Sequence, residues 1–196
     1  MAAGRISLQT YTIPANSLTI QVGEIVLVMP DRDGALPFVA KIERIYADPD
    51  MTGTEVSIRW YYRPEDTFQG RRLFHGLKEL FCSDHSEEIF AECIDGKCNV
   101  HSFDDYQQLE LVRDVDYFTR FNYIYREERL VPDQVEVFCL CGMPVNPDLR
   151  MILCEGCLEW FHLLCLNMSL EETRRISHFY CQSCSPTNNH DRGSHR

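Results

Sequence analysis

Seven of the ten cysteines fall between residues 139 and 184, and with His162 they form four close pairs. The series is Cys139-x-Cys141, twelve residues, Cys154-x2-Cys157, four residues, His162-x2-Cys165, fifteen residues, then Cys181-x2-Cys184. Eight thiolate and imidazole donors in four pairs fit two tetrahedral Zn²⁺ sites, since each short pair lets one loop offer two ligands to one metal. Protein fills all four positions at each site, leaving none for water, so the zinc is structural and not catalytic. A segment of about fifty residues buries little apolar surface, and metal binding then supplies much of its folding free energy.

A second group of residues suggests different chemistry. In TEVSIRWYY (54–62), strand periodicity places Val56, Ile58, Trp60 and Tyr62 on one face and Tyr61 on the other. Phe38 opens a neighbouring apolar strand. Such rings ordinarily cap a core. They can also form a cage, whose electron-rich faces attract a quaternary ammonium that has no hydrogen to donate. Asp84 and His85 are adjacent, and His75 and His101 stand alone. With no phosphate loop and no nucleophile motif, nothing in the chain reads as an enzyme.

The elements that must position these groups are mostly short strands. EIVLVM (24–29), PFVAKIERIY (37–46) and TEVSIRWYY alternate apolar and polar residues between turn signals. In the second of these, Phe38, Ala40 and Ile42 alternate with Val39, Lys41 and Glu43. RRLFHGLKELF, EEIFAEC and KCNVH follow, with Asp95-Gly96 expected to turn a hairpin. DDYQQLELV (104–112) reads as helix, as does a short segment opened by the capping box Ser169 to Glu172 and running to about Ile176. The cysteine distribution, with Pro132 and Asp133, sets a boundary near 131–136. The expected architecture is mainly β: a small barrel or sandwich followed by the zinc module. Residues 1–19 form a leading segment, and the polar stretch 187–196 a disordered tail.

The chain of 196 residues has a formal charge of −11. That balance disfavours broad contact with a nucleic-acid backbone and suits a basic partner. Arg71-Arg72 is the one notable basic pair before the zinc module. No stretch resembles a signal peptide, and the apolar run from Ile25 to Met29 is far too short to span a bilayer. The expectation is an intracellular protein without membrane contact, in which clustered cysteines bind metal.

QVGEIVLVMP, LPFVAKIERI, WYYRPEDT, GRRLFHGLKELFCSDH and DGKCNVHSF resemble successive blocks of a bromo-adjacent homology (BAH) domain, spanning 20–134. Four cysteines, a histidine and three cysteines, with Trp160 two residues before the histidine, resemble a PHD finger over 136–186. Together they resemble the plant BAH–PHD chromatin readers of the short-life and early-bolting type. The resemblance implies a BAH-type, barrel-like β domain and a cross-braced finger. Cys139, Cys141, His162 and Cys165 would hold one Zn²⁺, and Cys154, Cys157, Cys181 and Cys184 the other.

The resemblance also implies a function. In that family a Tyr-Trp-Tyr cage reads trimethylated lysine 27 of histone H3. The matching positions are Phe38, Trp60 and Tyr62, with Phe38 in place of a tyrosine. Asp84 and His85 fall at peptide-contact positions. The finger would take the H3 N-terminus as an added strand. Its methyl-lysine 4 pocket maps to Phe138, Val145, Met151 and Trp160, with Asp148 and Glu155 as acidic contacts. Val145 replaces a tyrosine there and has no π face. The implied protein is a nuclear, non-enzymatic reader of methylated H3 tails that regulates transcription by repression, through co-repressor or histone-modifying complexes, with little direct DNA binding. Three other readings compete with it, of which nucleic-acid binding through one of the modules is opposed by the sparse basic clustering. A RING-like ubiquitin ligase shares a cross-brace, but RING series place histidine fourth and His162 is fifth. A chromatin interaction scaffold with degenerate pockets is favoured by Phe38 and Val145.

Overall fold

β-Branched and aromatic residues, alternating every second position, dictate most of the first of two units into which the chain divides, 1–133 and 134–196. The computed structural model describes residues 5–185 except 31, 33 and 49–52, so the polar stretch 187–196 lies outside the described residues. The first unit contains β1 (Ile6–Leu8), β2 (Thr10–Ile13), β3 (Leu18–Gln21), β4 (Ile25–Val28), β5 (Phe38–Ala47) and β6 (Thr54–Tyr62). After these come β7 (Glu79–Phe90), β8 (Ile94–Ser102), α1 (Phe103–Gln107), β9 (Asp116–Ile124) and β10 (Arg129–Val131).

Six of these strands close a ring. The order β5-β4-β8-β9-β7-β6 returns to β5 through the β5–β6 pairing. Neighbours are antiparallel except where β9 lies parallel to both β7 and β8. Each of the six contributes to one apolar cluster: Ile25 and Leu27, Val39, Tyr61, Leu80, Cys98 and Val100, and Tyr117. That cluster fills the barrel. A second cluster coats the outside of β4, β5 and β6, where Ile13 and Ile20 of the β2–β3 hairpin cover Ala40, Ile42, Val56 and Ile58. The first nineteen residues therefore include part of the packed structure, since β1 pairs with β5 and Ile13 is fully buried.

Closure changes how the alternation reads. Val39 faces away from Ala40 and Ile42 yet is also fully buried, because its face lines the barrel. The phase then switches: Ala40 and Ile42 are buried, followed by Ile45 and Ala47, across a register shift between Ile42 and Arg44.

Two expectations are corrected. The hairpin expected at Asp95-Gly96 does not form: β7 passes into β8 through a 3₁₀ turn, Ala91–Cys93, anchored by the buried Ala91, and both strands run parallel to β9. Gly96 lies within β8 opposite Leu27, whose Cδ1 would sit 3.6 Å from an added Cβ. The helix expected over 104–112 is a single turn. Ser102 caps it by accepting the Asp105 N–H, and Tyr106 packs on Phe118 with ring centroids 4.6 Å apart. Beyond it Leu111 and Val112 are exposed, so no buried face sustains a second turn.

The segment before β7 is a loop fixed by a buried ion pair. Arg120 Nε lies 2.8 Å from Glu79 Oε1, the Gly76 N–H donates to Glu79 at 2.9 Å, and the guanidinium sits over the Phe103 ring at 4.6 Å. With its lone pairs met on several sides, this fully buried carboxylate is tolerated.

The second unit contains a hairpin of β11 (Met151–Leu153) and β12 (Trp160–His162), then α2 (Leu170–Arg175). Ser169 and Glu172 form the expected capping box, and Ile176 ends the helix. Its apolar cluster is built around cysteines: Ile152, Phe161, Leu166 and Phe179 pack on Cys154 and Cys181. Among the described residues no helix is long and apolar enough to cross a membrane.

Candidate functional site

The eight metal-ligand candidates fall into two groups. Cys139, Cys141, His162 and Cys165 form one, Cys154, Cys157, Cys181 and Cys184 the other, with all donor atoms in each group within 4.8 Å of one another. His162 Nδ1 lies 3.4 Å from Cys141 Sγ and 4.0 Å from Cys165 Sγ, and Cys157 Sγ lies 3.9 Å from Cys181 Sγ. The edges of a tetrahedron around Zn²⁺ are about 3.6–3.8 Å for these bond lengths, so the donor sets fit the metal. At Cys139 and Cys154 the local backbone favours the thiolate. Burial opposes ionisation of Cys139 and Cys154, but N–H groups, including His162 onto Cys139 at 3.4 Å and Cys181 onto Cys154 at 3.2 Å, bring both down to about 6. Bound zinc would supply cross-links between loops. The residues themselves hold the geometry: β11 and β12 place His162, and the turns at 154–157 and 181–184 bring in the second set.

Gly156, which carries no motif of its own, lies inside the Cys154–Cys157 loop. A Cβ there would be 2.6 Å from Cys184 Cβ and 2.9 Å from Cys184 Sγ. Only glycine lets the two knuckles of the second group approach this closely.

In the barrel, Phe38, Trp60 and Tyr62 line one pocket of about 300 Å³, joined by Tyr61 and Asp66. Phe38 starts β5 and is 45% exposed, and its ring meets that of Trp60 edge-on with centroids 5.9 Å apart. The Trp60 indole N–H donates to Glu87 at 3.0 Å. Tyr62 belongs to a second aromatic group with Tyr123 and Tyr125, centroids 5.2 and 5.9 Å away. Burial raises the Tyr62 hydroxyl to about 12, so it stays protonated and can donate.

Asp84 and His85 reach this region through irregular pairing. Arg59 pairs with Ser86 and Tyr61 with Cys82, so Ser83, Asp84 and His85 together oppose Trp60. Ser83 Oγ donates to the Trp60 carbonyl at 2.8 Å and stabilises the bulge. His85 Nδ1 is 2.7 Å from the Tyr62 hydroxyl, and its ring stacks on Tyr125 at 4.1 Å. The Asp84 carboxylate accepts the Tyr125 N–H at 2.8 Å. Tyr125, Asp66 and Glu87 were not singled out in the sequence; their relevance follows from strand register and a 3₁₀ turn, which no local pattern announces.

The finger places its candidate residues around the β11–β12 hairpin. Met151 pairs with His162 and Leu153 with Trp160, so these four share one face, while Ile152 and Phe161 face the cysteine-built core. Trp160 is 44% exposed. Phe138 bridges Met143, and Val145 is half-buried in the loop that follows. The Asp148 N–H donates to Asn146 Oδ1 at 3.0 Å. Glu155 is engaged by His178, whose Nδ1 lies 2.9 Å away.

Comparison with known proteins agrees with this geometry. The BAH domain family matches residues 18–134, and the PHD-finger family matches 139–184. The chain is 46% identical to the chromatin remodeling protein EBS of Arabidopsis thaliana over 182 residues, 93% of this chain and 77% of that protein. It is 44% identical to the chromatin remodeling protein SHL of the same plant over 184 residues, 94% of this chain and 81% of that one. The crystal structure of the yeast Rsc2 BAH domain aligns with a TM-score of 0.50 and 23% identity, covering 63% of this chain and 53% of that chain, a likeness of fold. A barrel of BAH type joined to a two-site PHD finger, shared along most of its length with two plant chromatin proteins, places the chain in the BAH–PHD family of chromatin proteins.

Proposed function

We propose that the protein is a non-enzymatic reader of methylated histone H3 tails, acting in the nucleus. Its barrel takes methylated lysine 27 and its finger methylated lysine 4. The observation that carries the reading is the pocket walled by Phe38, Trp60 and Tyr62. A methylated ammonium is attracted to each ring face, whereas ordinary lysine keeps a tightly held hydration shell. Asp84 and His85 hold the Tyr62–Tyr125 wall and serve as peptide contacts. In the finger, Met151 and Trp160 offer an apolar and an aromatic surface on one hairpin face. β11 pairs with β12 on one side and with no other strand among the described residues, leaving an edge for an added peptide strand. Phe138 and Val145 complete that pocket, with Asp148 and Glu155 at its acidic rim. Co-repressor or histone-modifying complexes recruited through the bound tail would then repress transcription. Direct DNA binding is a minor part of this reading, and Arg71 is already paired with Glu65 at 2.7 Å.

The test is titration of the full chain with H3 peptides carrying each methyl state at lysine 27 or lysine 4. Trp60→Ala should abolish binding to the lysine 27 peptides and leave the lysine 4 peptides unaffected. Unchanged lysine 27 binding would sink the cage assignment.

A further inference from the structure

Building on the cage reading, we infer that Asp66 sets the methyl-state preference of the barrel pocket, making dimethyl-lysine at least as good a ligand as trimethyl-lysine. Asp66 lines the same pocket as Phe38, Trp60 and Tyr62. It stands at the end of a 3₁₀ turn, Pro64–Asp66, that begins two residues after Tyr62. That turn is rigidly held. Pro64 and Thr67 are buried on either side of the acidic pair, and Thr67 Oγ donates to the Pro64 carbonyl at 2.8 Å. Arg63 Nη2 donates to the Pro37 carbonyl at 2.7 Å, tying the turn to the residue before Phe38.

The two acids of the turn differ in what they meet. Glu65 is paired with Arg71, whereas among the described residues no hydrogen bond or ion pair engages the Asp66 carboxylate. An exposed acid beside aromatic walls offers an acceptor to whatever cation enters. Trimethylammonium has no N–H and can gain only long-range attraction from it. Dimethylammonium keeps one N–H, and its charge-assisted hydrogen bond to Asp66 is a short-range gain that offsets the lost methyl contact.

The experiment uses the full chain and H3 peptides with lysine 27 unmodified, mono-, di- or trimethylated. For the unaltered protein, Kd for the dimethyl peptide should be equal to or lower than that for the trimethyl peptide. Asp66→Asn should weaken the dimethyl complex about tenfold and the trimethyl complex by less than about threefold, inverting the preference. Asp66→Glu, which keeps the carboxylate, should retain most of the dimethyl affinity. Equal weakening of both complexes by Asp66→Asn, or none, would overturn the inference. Trimethyl binding that Trp60→Ala abolishes while Asp66→Asn leaves the preference untouched would reject Asp66 and retain the cage. Loss of all lysine 27 binding in the unaltered chain would reject both.

Discussion

The indole N–H of Trp60 donates to the Glu87 carboxylate at 3.0 Å, across the bulged pairing of β6 and β7. The bond turns the ring of a half-buried tryptophan toward Phe38 and fixes one rotamer of several. A charged acceptor on the indole N–H also raises the electron density that the ring face offers to a cation.

Glu87→Leu removes the acceptor and frees the indole. Peptide titration should show lysine 27 methyl binding weakened by about three- to tenfold, with the thermal midpoint little changed because Glu87 is exposed. Glu87→Gln keeps an acceptor oxygen and should recover much of the loss. Equal loss in both variants would mean that charge alone, and not ring position, is what Glu87 provides.

Much of the barrel was legible because its strands alternate: Thr54–Tyr62 is β6 to the residue, and the series from Phe38 begins β5 as expected. The zinc donors were legible because metal chemistry demands their types and spacing, and the two spatial groups match those implied by resemblance to a PHD finger. What stayed hidden is set by partners distant in sequence. The register shift at Ile42–Arg44 reverses which residues of β5 are buried. Asp95-Gly96 has the composition of a turn, yet both residues lie within β8, where Gly96 pairs with Leu27. Asp66 and Glu87 carry no motif of their own and gain meaning only beside Trp60.

His75 gives the barrel a defined response to acid. It is 4% exposed, with rings of Phe74 and Phe81 at 4.3 and 5.3 Å, and its Nδ1 accepts the Arg72 N–H at 3.0 Å. Burial, reinforced by the charges of Arg120, Arg71 and Arg72, pushes it down from 6.5 to about 4. The unfolded chain therefore binds this proton more tightly than the folded one. The His75 contribution to stability is present in full above about pH 6.5, falls as pH drops towards about 4, and is flat below that. The loss across this window is on the order of 2–3 kcal/mol. His75→Asn keeps an acceptor but does not titrate. Urea unfolding of the two proteins from pH 7 to pH 4 should give a shallower slope for the variant; parallel curves would show that His75 is not the group responsible.

The close approach of Gly156 to Cys184 makes the second metal group sensitive to a single methyl. Because an added Cβ would lie 2.6 Å from Cys184 Cβ, Gly156→Ala must push Cys184 away from Cys154, Cys157 and Cys181. The finger's apolar cluster is itself assembled on Cys154 and Cys181, so displacing that group loosens the core together with the metal. Metal analysis should find two zinc per chain before the substitution and a smaller content after it, with Cys139, Cys141, His162 and Cys165 the set better preserved. The barrel draws its stability from a separate ring of strands. Its β-type circular dichroism and its lysine 27 methyl binding should therefore persist in the variant, and equally after chelation of the unaltered protein. Full zinc content in Gly156→Ala would show that Cys184 can yield without leaving the metal, and that the glycine is a convenience of the loop rather than a requirement of the site.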